Sequence, residues 1–261
     1  MSGRSLMADP ILNIAAYRFV TLTDLPTLRE QLRDAAVARG LKGTVLLANE
    51  GINLSLAGDP AAVRAWLTVL TADTRFAGIE VKESVSAAPP FRRLKVKIKR
   101  EIIRMDHPTI RPEGERAPAV DARTLARWLD AGHDDAGRPV TLLDTRNAFE
   151  VDHGAFEGAI DWRLTKFTEF PQQLTGHLNA LRDTTVVSYC TGGIRCEKAA
   201  LLMREQGLAH VYQLDGGILK YFEAVGQAHY QGGCFVFDER AVLDADLKPD
   251  FKPGPAGHLS E

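Results

Sequence analysis

Pro108, Pro112, Gly114 and Pro118 interrupt one short charged stretch and separate two halves whose apolar patterns differ. Such clustered breakers prevent a single run of regular structure from crossing the middle of the chain. The 261 residues also exceed a usual domain of roughly 100–200 residues, so two units are expected, joined by a linker over residues 109–119. Hydrophobic residues at 45% and charged residues at 25% leave enough apolar surface for a core in each half.

In the first half, Ile11 to Val20 is apolar enough for a strand, and Asp24 then opens a helical pattern through Leu25, Leu28, Leu32, Ala35 and Ala36. Two β-prone runs, Lys42 to Ala48 and Ile52 to Ala57, flank the turn-forming Asn49-Glu50-Gly51 and predict a hairpin. Asp59-Pro60 supplies an N-cap and a first-turn proline for a second helix carrying Val63, Trp66, Leu67 and Leu70. A strand follows over Ile79 to Val85. The order β-α-β-β-α-β is that of a ferredoxin-like α+β sandwich, and that fold alone assigns no function.

The next segment, Phe91-Arg92-Arg93-Leu94-Lys95-Val96-Lys97-Ile98-Lys99-Arg100, alternates with period two. Leu94, Val96 and Ile98 share one face, while Lys95, Lys97 and Lys99 form a cationic ladder on the other. A ladder of this kind tracks phosphates, with Arg92 and Arg93 beside it; a lysine-rich strand equally protects a sheet edge from aggregation. Charge is uneven in the same sense. Met1 to Ile110 holds 16 basic and 11 acidic residues, and Arg111 to Glu261 holds 16 and 23. A polyanion would therefore meet the first half.

The second half alternates helix and strand. Asp121 caps a helix through Leu125 and Leu129, and Val140 to Asp144 is a short apolar strand. Phe167 to Leu181 reads as helix, Thr185 to Tyr189 as buried strand, Glu197 to Gln206 as helix and His210 to Leu214 as strand. Units of this length predict a parallel α/β sheet covered by helices.

Functional loops of such sheets lie at the carboxyl ends of the strands, where Cys190 follows Tyr189. Thr191, Gly192, Gly193 and Ile194 allow the backbone to curl and aim amide N–H groups at the sulfur, and the next helix starts near Cys196. That setting favours a thiolate or persulfide anion, and Arg195 adds a fixed positive charge able to hold an oxyanion. Cys196 reads as a first-turn helix residue that need not approach Cys190, with a resolving thiol as the alternative. Cys234 has no CxxC companion, so no metal site is expected. Asp144 and Arg146 are read as structural, with Arg146 an alternative at the mouth of the site, and His153 as a packing or hydrogen-bonding residue with a direct role as the alternative. The three cysteines are too few and too uneven for a disulfide framework, which implies free thiols. The N-terminus lacks the apolar core of a signal peptide, and no apolar run approaches a membrane span. A cytoplasmic protein without membrane partners is expected.

Three blocks, Leu142-Leu143-Asp144-Thr145-Arg146 with Glu150, His153 to Ile160, and Cys190 to Arg195, resemble the rhodanese domain family over roughly Val120 to Ala224. The resemblance implies a loop cysteine that carries sulfur as a persulfide and a loop that binds an anionic substrate. Related phosphatases carry one more residue between cysteine and arginine, so phosphatase activity is disfavoured. A wider set of matches, Lys42 to Asn53, Phe91 to Lys97, Cys190 to Lys198 and Cys234 to Arg240, resembles the bacterial oxygen-dependent tRNA uridine hydroxylase family. That resemblance implies an acylphosphatase-like N-terminal domain over residues 9–108, a rhodanese domain over 120–230 and a tail over 231–261. It also implies formation of 5-hydroxyuridine at the wobble position of tRNA, with molecular oxygen as co-substrate and the anticodon loop as partner. Many relatives continue into a cysteine-rich tail, whereas this chain has prolines and glycines after Cys234, so no metal function of such a tail is carried over.

No haem, flavin or two-His-one-carboxylate pattern occurs among the seven histidines, and no metal or organic cofactor is identified. Addition of Cys190 to C6 of uracil would activate C5, and Tyr189, Trp162 or Phe167 are candidates to stack on the base, with the core as their alternative place. The residues leave two other readings open: a plain sulfurtransferase carrying a persulfide, and a non-catalytic RNA-binding module.

Overall fold

Strands and helices form largely where the apolar periodicities place them. The computed structural model describes residues 10–249; Asp9 and positions 250–261 of the expected tail lie outside the described residues. The chain divides between Ile102 and Ile103 into two units.

The first unit contains β1 (Ile11–Phe19), α1 (Leu25–Val37), β2 (Lys42–Ala48), β3 (Gly51–Gly58), α2 (Pro60–Thr71), β4 (Val81–Ser86) and β5 (Leu94–Ile98). Its sheet runs β4-β1-β3-β2-β5. The first four strands pair antiparallel in the ferredoxin-like order, and β5 adds a fifth strand parallel to β2. The Asp59 carboxylate accepts from the Ala62 N–H at 3.0 Å and starts α2 as the Asp-Pro pair predicts. Trp66 is fully buried, and its indole N–H donates to the Leu32 carbonyl at 3.1 Å, which joins α2 to α1 without leaving a buried donor unpaired.

Because β5 ends the sheet, Lys95 and Lys97 point along an edge strand and are exposed, with Lys99 exposed one residue beyond it. Arg92 and Arg93 are exposed just before it. The expected apolar face is incomplete: Val96 is buried and Leu94 half-buried, but Ile98 is 42% exposed where the edge strand ends. An exposed cationic edge strand does not decide between the phosphate-tracking and the edge-protecting readings of the ladder.

The second unit contains β6 (Ala119–Val120), α3 (Ala122–Ala131), β7 (Val140–Asp144), α4 (Ala148–Val151), β8 (Gly154–Phe156), β9 (Ile160–Asp161), α5 (Phe170–His177), β10 (Thr185–Tyr189), α6 (Ile194–Glu205), β11 (Val211–Leu214), α7 (Gly217–Val225), β12 (Tyr230–Gly232), β13 (Cys234–Phe235) and β14 (Val242–Leu243). Its main sheet is wholly parallel, in the order β6-β11-β10-β7-β9. Every residue of the central strand β10 is buried, which explains its continuous apolar run. The segment Phe167 to Leu181 is helical but divided, with a short 3₁₀ turn on either side of α5.

Two boundaries differ from expectation. Residues 109–119 do not form a free linker: Met105, Ile110 and Ala117 are buried in the core of the second unit, and Lys198 Nζ donates to the Ile103 carbonyl at 2.9 Å. The prolines break regular structure there while leaving apolar side chains free to pack. Residues 231–249 are likewise not a loose tail. β12 pairs with β8, β13 with β14, and Cys234 is fully buried among Phe156, Tyr189 and Tyr221. No helix among the described residues is long and apolar enough to cross a membrane.

Candidate active site at the cysteine loop

Cys190 leaves the carboxyl end of β10, and Asp144 ends its neighbour β7, with Tyr189 and Asp144 in register. Two central strands thus deliver their loops to one place. Gly193 takes a φ of +98°, which turns its N–H onto Cys190 Sγ at 3.1 Å just before α6 begins. On the other side, α7 closes over the loop: the Ile218 and Leu219 N–H groups donate to the carbonyls of Cys190 and Thr191 at 3.0 and 3.2 Å. Gly217, at φ +67°, is obligatory in this contact, because a Cβ there would lie 2.4 Å from the Cys190 carbonyl oxygen and 2.8 Å from the Gly193 nitrogen. Gly217 and the start of α7 were missed from the sequence, although Gly216-Gly217 directly after a strand was the available signal.

Cys190 itself is 1% exposed. Burial alone raises its pKa, but the Cys196 thiol, the Arg195 charge and the backbone N–H groups of Arg195 and Gly193 outweigh that penalty and hold it well below the ordinary thiol value. Cys196 is therefore not remote. Buried in the first turn of α6, it donates to Cys190 and also meets the Thr145 hydroxyl at 3.7 Å; burial and the adjacent Cys190 sulfur push its own pKa up. Six positions of separation become a contact because the loop doubles back before the helix. Burial pushes Cys234 up to about 12, so the three thiols are chemically distinct. We expect Cys196→Ala to raise the pKa of Cys190. Labelling by a small methanethiosulfonate, nearly flat for the wild type across about pH 7–9, should become steeper and shift to higher pH; an unchanged profile would remove Cys196 from this role.

Arg195 is buried, but its fork does not face an open anion site. Its two terminal nitrogens bind the Glu150 carboxylate at 2.6 and 2.7 Å, and Glu150 also accepts from the Asn147 N–H at 3.0 Å. Only Arg195 Nε is left without a partner. The arginine expected to grip substrate is thus held by Glu150, and it acts on Cys190 through its charge and its backbone. Ile194 and the half-buried Thr191 and Gly192 complete the loop, and the Thr191 hydroxyl donates to the Phe235 carbonyl at 3.3 Å.

A second buried pair sits behind the first. Arg146 binds Asp144 through Nε and its terminal nitrogen at 2.9 and 2.6 Å, and donates to the Gly154 carbonyl at 2.7 Å. Arg146 is fully buried, so it braces the loop ends and does not line the mouth. His153 stacks on Phe235 at 5.5 Å, a packing role. The aromatics considered for base stacking are occupied otherwise. Tyr189 and Phe167 are buried in the core, and Trp162 stacks on His177 at 5.1 Å. Among the described residues no three His, Cys, Asp or Glu side chains gather in a group that could hold a metal ion.

Comparison with known proteins gives the same two-part organisation. Residues 11–102 match the UPF0176 acylphosphatase like domain, and residues 119–224 match the Rhodanese-like domain. The tRNA uridine(34) hydroxylase of Variovorax paradoxus is 67% identical over 237 residues, covering 91% of this chain and 90% of that protein. The proteins of the same name from Bordetella petrii and Delftia acidovorans are both 63% identical, covering 92% of this chain and 95% and 91% of theirs. An acylphosphatase-like unit, a rhodanese-like unit with a lowered-pKa loop cysteine, and this identity along nearly the whole length lead to one assignment: the chain belongs to the tRNA uridine(34) hydroxylase family.

Proposed function

We propose that this protein hydroxylates C5 of uridine 34 in the tRNA anticodon loop, in the cytoplasm, with dioxygen as co-substrate and Cys190 as the reacting group. The observation that carries the reading is the Cys190 sulfur accepting the Gly193 N–H at 3.1 Å, where the Cys196 thiol and the Arg195 charge lower its pKa, within a chain of this family. C5 of uracil is not nucleophilic enough to take up oxygen unaided. Addition of the Cys190 thiolate to C6 converts C5 into an enolate carbon, and the loop N–H groups offset the charge that moves through the ring. After C5 takes an oxygen atom derived from dioxygen, loss of the C5 proton and expulsion of the thiolate restore the uracil. The second oxygen atom leaves as water, which requires two electrons and two protons from a reductant. Uridine 34 is unpaired in the anticodon loop, so its entry needs no duplex opening.

Mass spectrometry of tRNA nucleosides from wild-type, deletion and Cys190→Ala cells tests this reading. The deletion strain should lose 5-hydroxyuridine, and only the wild-type gene should restore it. The rhodanese-like match over residues 119–224 favours a second reading, a sulfurtransferase with a stable Cys190 persulfide and RNA-independent thiosulfate turnover. Normal 5-hydroxyuridine in the deletion strain, with such turnover in vitro, would select it.

In the first unit, Lys95, Lys97 and Lys99, with Arg92 and Arg93, are proposed to contact tRNA phosphates. Replacing the three lysines by glutamate should weaken tRNA binding by about tenfold or more at low salt and flatten the slope of log K against log salt by roughly 3. Binding and slope equal to wild type would leave the ladder with its edge-protecting role alone.

A further inference from the structure

Phe149 and Phe237 are 44% and 64% exposed, unlike the other phenylalanines named above, and they meet in one cluster. Phe149 lies 5.2 Å from Phe235 at 89°, Phe235 lies 5.2 Å from Phe237 at 86°, and Phe149 lies 6.2 Å from Phe237 at 87°. Three mutually perpendicular rings make a corner, and His153, lying nearly parallel to Phe235, backs one of them. The corner is joined to the cysteine loop from two directions. Phe149 precedes Glu150, the carboxylate that binds Arg195, and the Phe235 carbonyl accepts from the Thr191 hydroxyl at 3.3 Å. Its backbone is held as well: the Asp238 carboxylate takes the Arg240 N–H and Nε–H, both at 2.9 Å, and the Val236 N–H donates to the Ala241 carbonyl at 2.8 Å.

We propose that Phe149 and Phe237 are the stacking platform for a nucleobase flanking uridine 34. This rests on the tRNA reading above. A single-stranded loop entering a buried thiol site must splay its bases, and the neighbours of the target lose their stacking partners on the RNA. Exposed, pre-positioned aromatic rings beside the reactive loop replace those partners at little ordering cost. The corner exposes aromatic rings as its large hydrophobics, which suits a base better than an apolar peptide. It also supplies a role for the Phe235-Val236-Phe237 run that Cys190 chemistry does not use.

The test uses the full-length protein, an anticodon stem-loop RNA and two variants: the double Phe149→Leu with Phe237→Leu, and Phe237→Trp alone. The Leu pair keeps apolar bulk but removes both ring faces. It should raise Kd for the stem-loop and KM for hydroxylation about tenfold, leave kcat within about twofold, and leave the melting midpoint unchanged. Phe237→Trp should bind as wild type. A stem-loop made abasic at one position flanking uridine 34 should lose affinity for wild type and lose little further with the Leu pair. Wild-type Kd and KM in the Leu pair, or equal affinity for the intact RNA and for stem-loops made abasic at either position flanking uridine 34, overturns the proposal. A protein that makes no 5-hydroxyuridine while its stem-loop binding depends on the two phenylalanines would overturn the hydroxylase reading and uphold the platform.

Discussion

Cys190→Ala is expected to reduce 5-hydroxyuridine formation by more than about a thousandfold while the protein keeps its fold. A covalent step has no substitute when its nucleophile is removed, and residues acting as a unit fail together. The remaining cysteines offer no rescue. Burial keeps the pKa of Cys196 raised even without the Cys190 sulfur, and Cys234 is fully buried with a pKa of about 12. Cys234→Ala should therefore retain activity, which makes it the control for thiol loss as such. The assay is nucleoside mass spectrometry on tRNA from a deletion strain carrying each variant. Normal modification with Cys190→Ala would sink the thiolate mechanism.

Glu150→Ala should destabilise the second unit by about 3–5 kcal/mol, because it leaves the buried Arg195 guanidinium without its counter-ion. Both partners are nearly excluded from water, at 7% and 0% side-chain exposure, so solvent cannot replace the lost carboxylate. Glu150→Gln, which keeps an oxygen acceptor, should cost less. Urea unfolding followed by Trp128 and Trp162 fluorescence in a Trp66→Phe background isolates this unit, since the other tryptophan belongs to the first. A loss below about 1 kcal/mol would mean that Arg195 is solvated, and free to bind a substrate anion after all.

That second case shows where sequence reasoning stopped. Arg195 at short spacing from Cys190 pointed to an anion grip, and nothing local revealed that Glu150, 45 positions earlier, takes its fork. Cys196 was placed on α6 correctly, but its contact with Cys190 depends on how Gly192 and Gly193 fold the loop back. Gly217 was passed over for the same reason: its necessity comes from the approach of α7 to the Cys190 carbonyl. Residues 109–119 read as a linker, and the burial of Ile110 and Ala117 among the side chains of α6 and its neighbours is a long-range fact.

Features carried by local periodicity and by short motifs were legible from the chain alone. The β-α-β-β-α-β order, the parallel strand-helix repeats, the Asp59 and Asp121 caps and the position of Cys190 after a buried strand all depend on neighbouring residues, whose spacing sets backbone geometry directly. Which of those side chains face each other depends on long-range packing. It locked Arg195 onto Glu150, brought Cys196 to the sulfur of Cys190, buried Tyr189 and exposed Phe149 and Phe237. Those outcomes come from packing distant segments against one another, where burial and pairing are settled by the whole core and not by any one stretch of the chain.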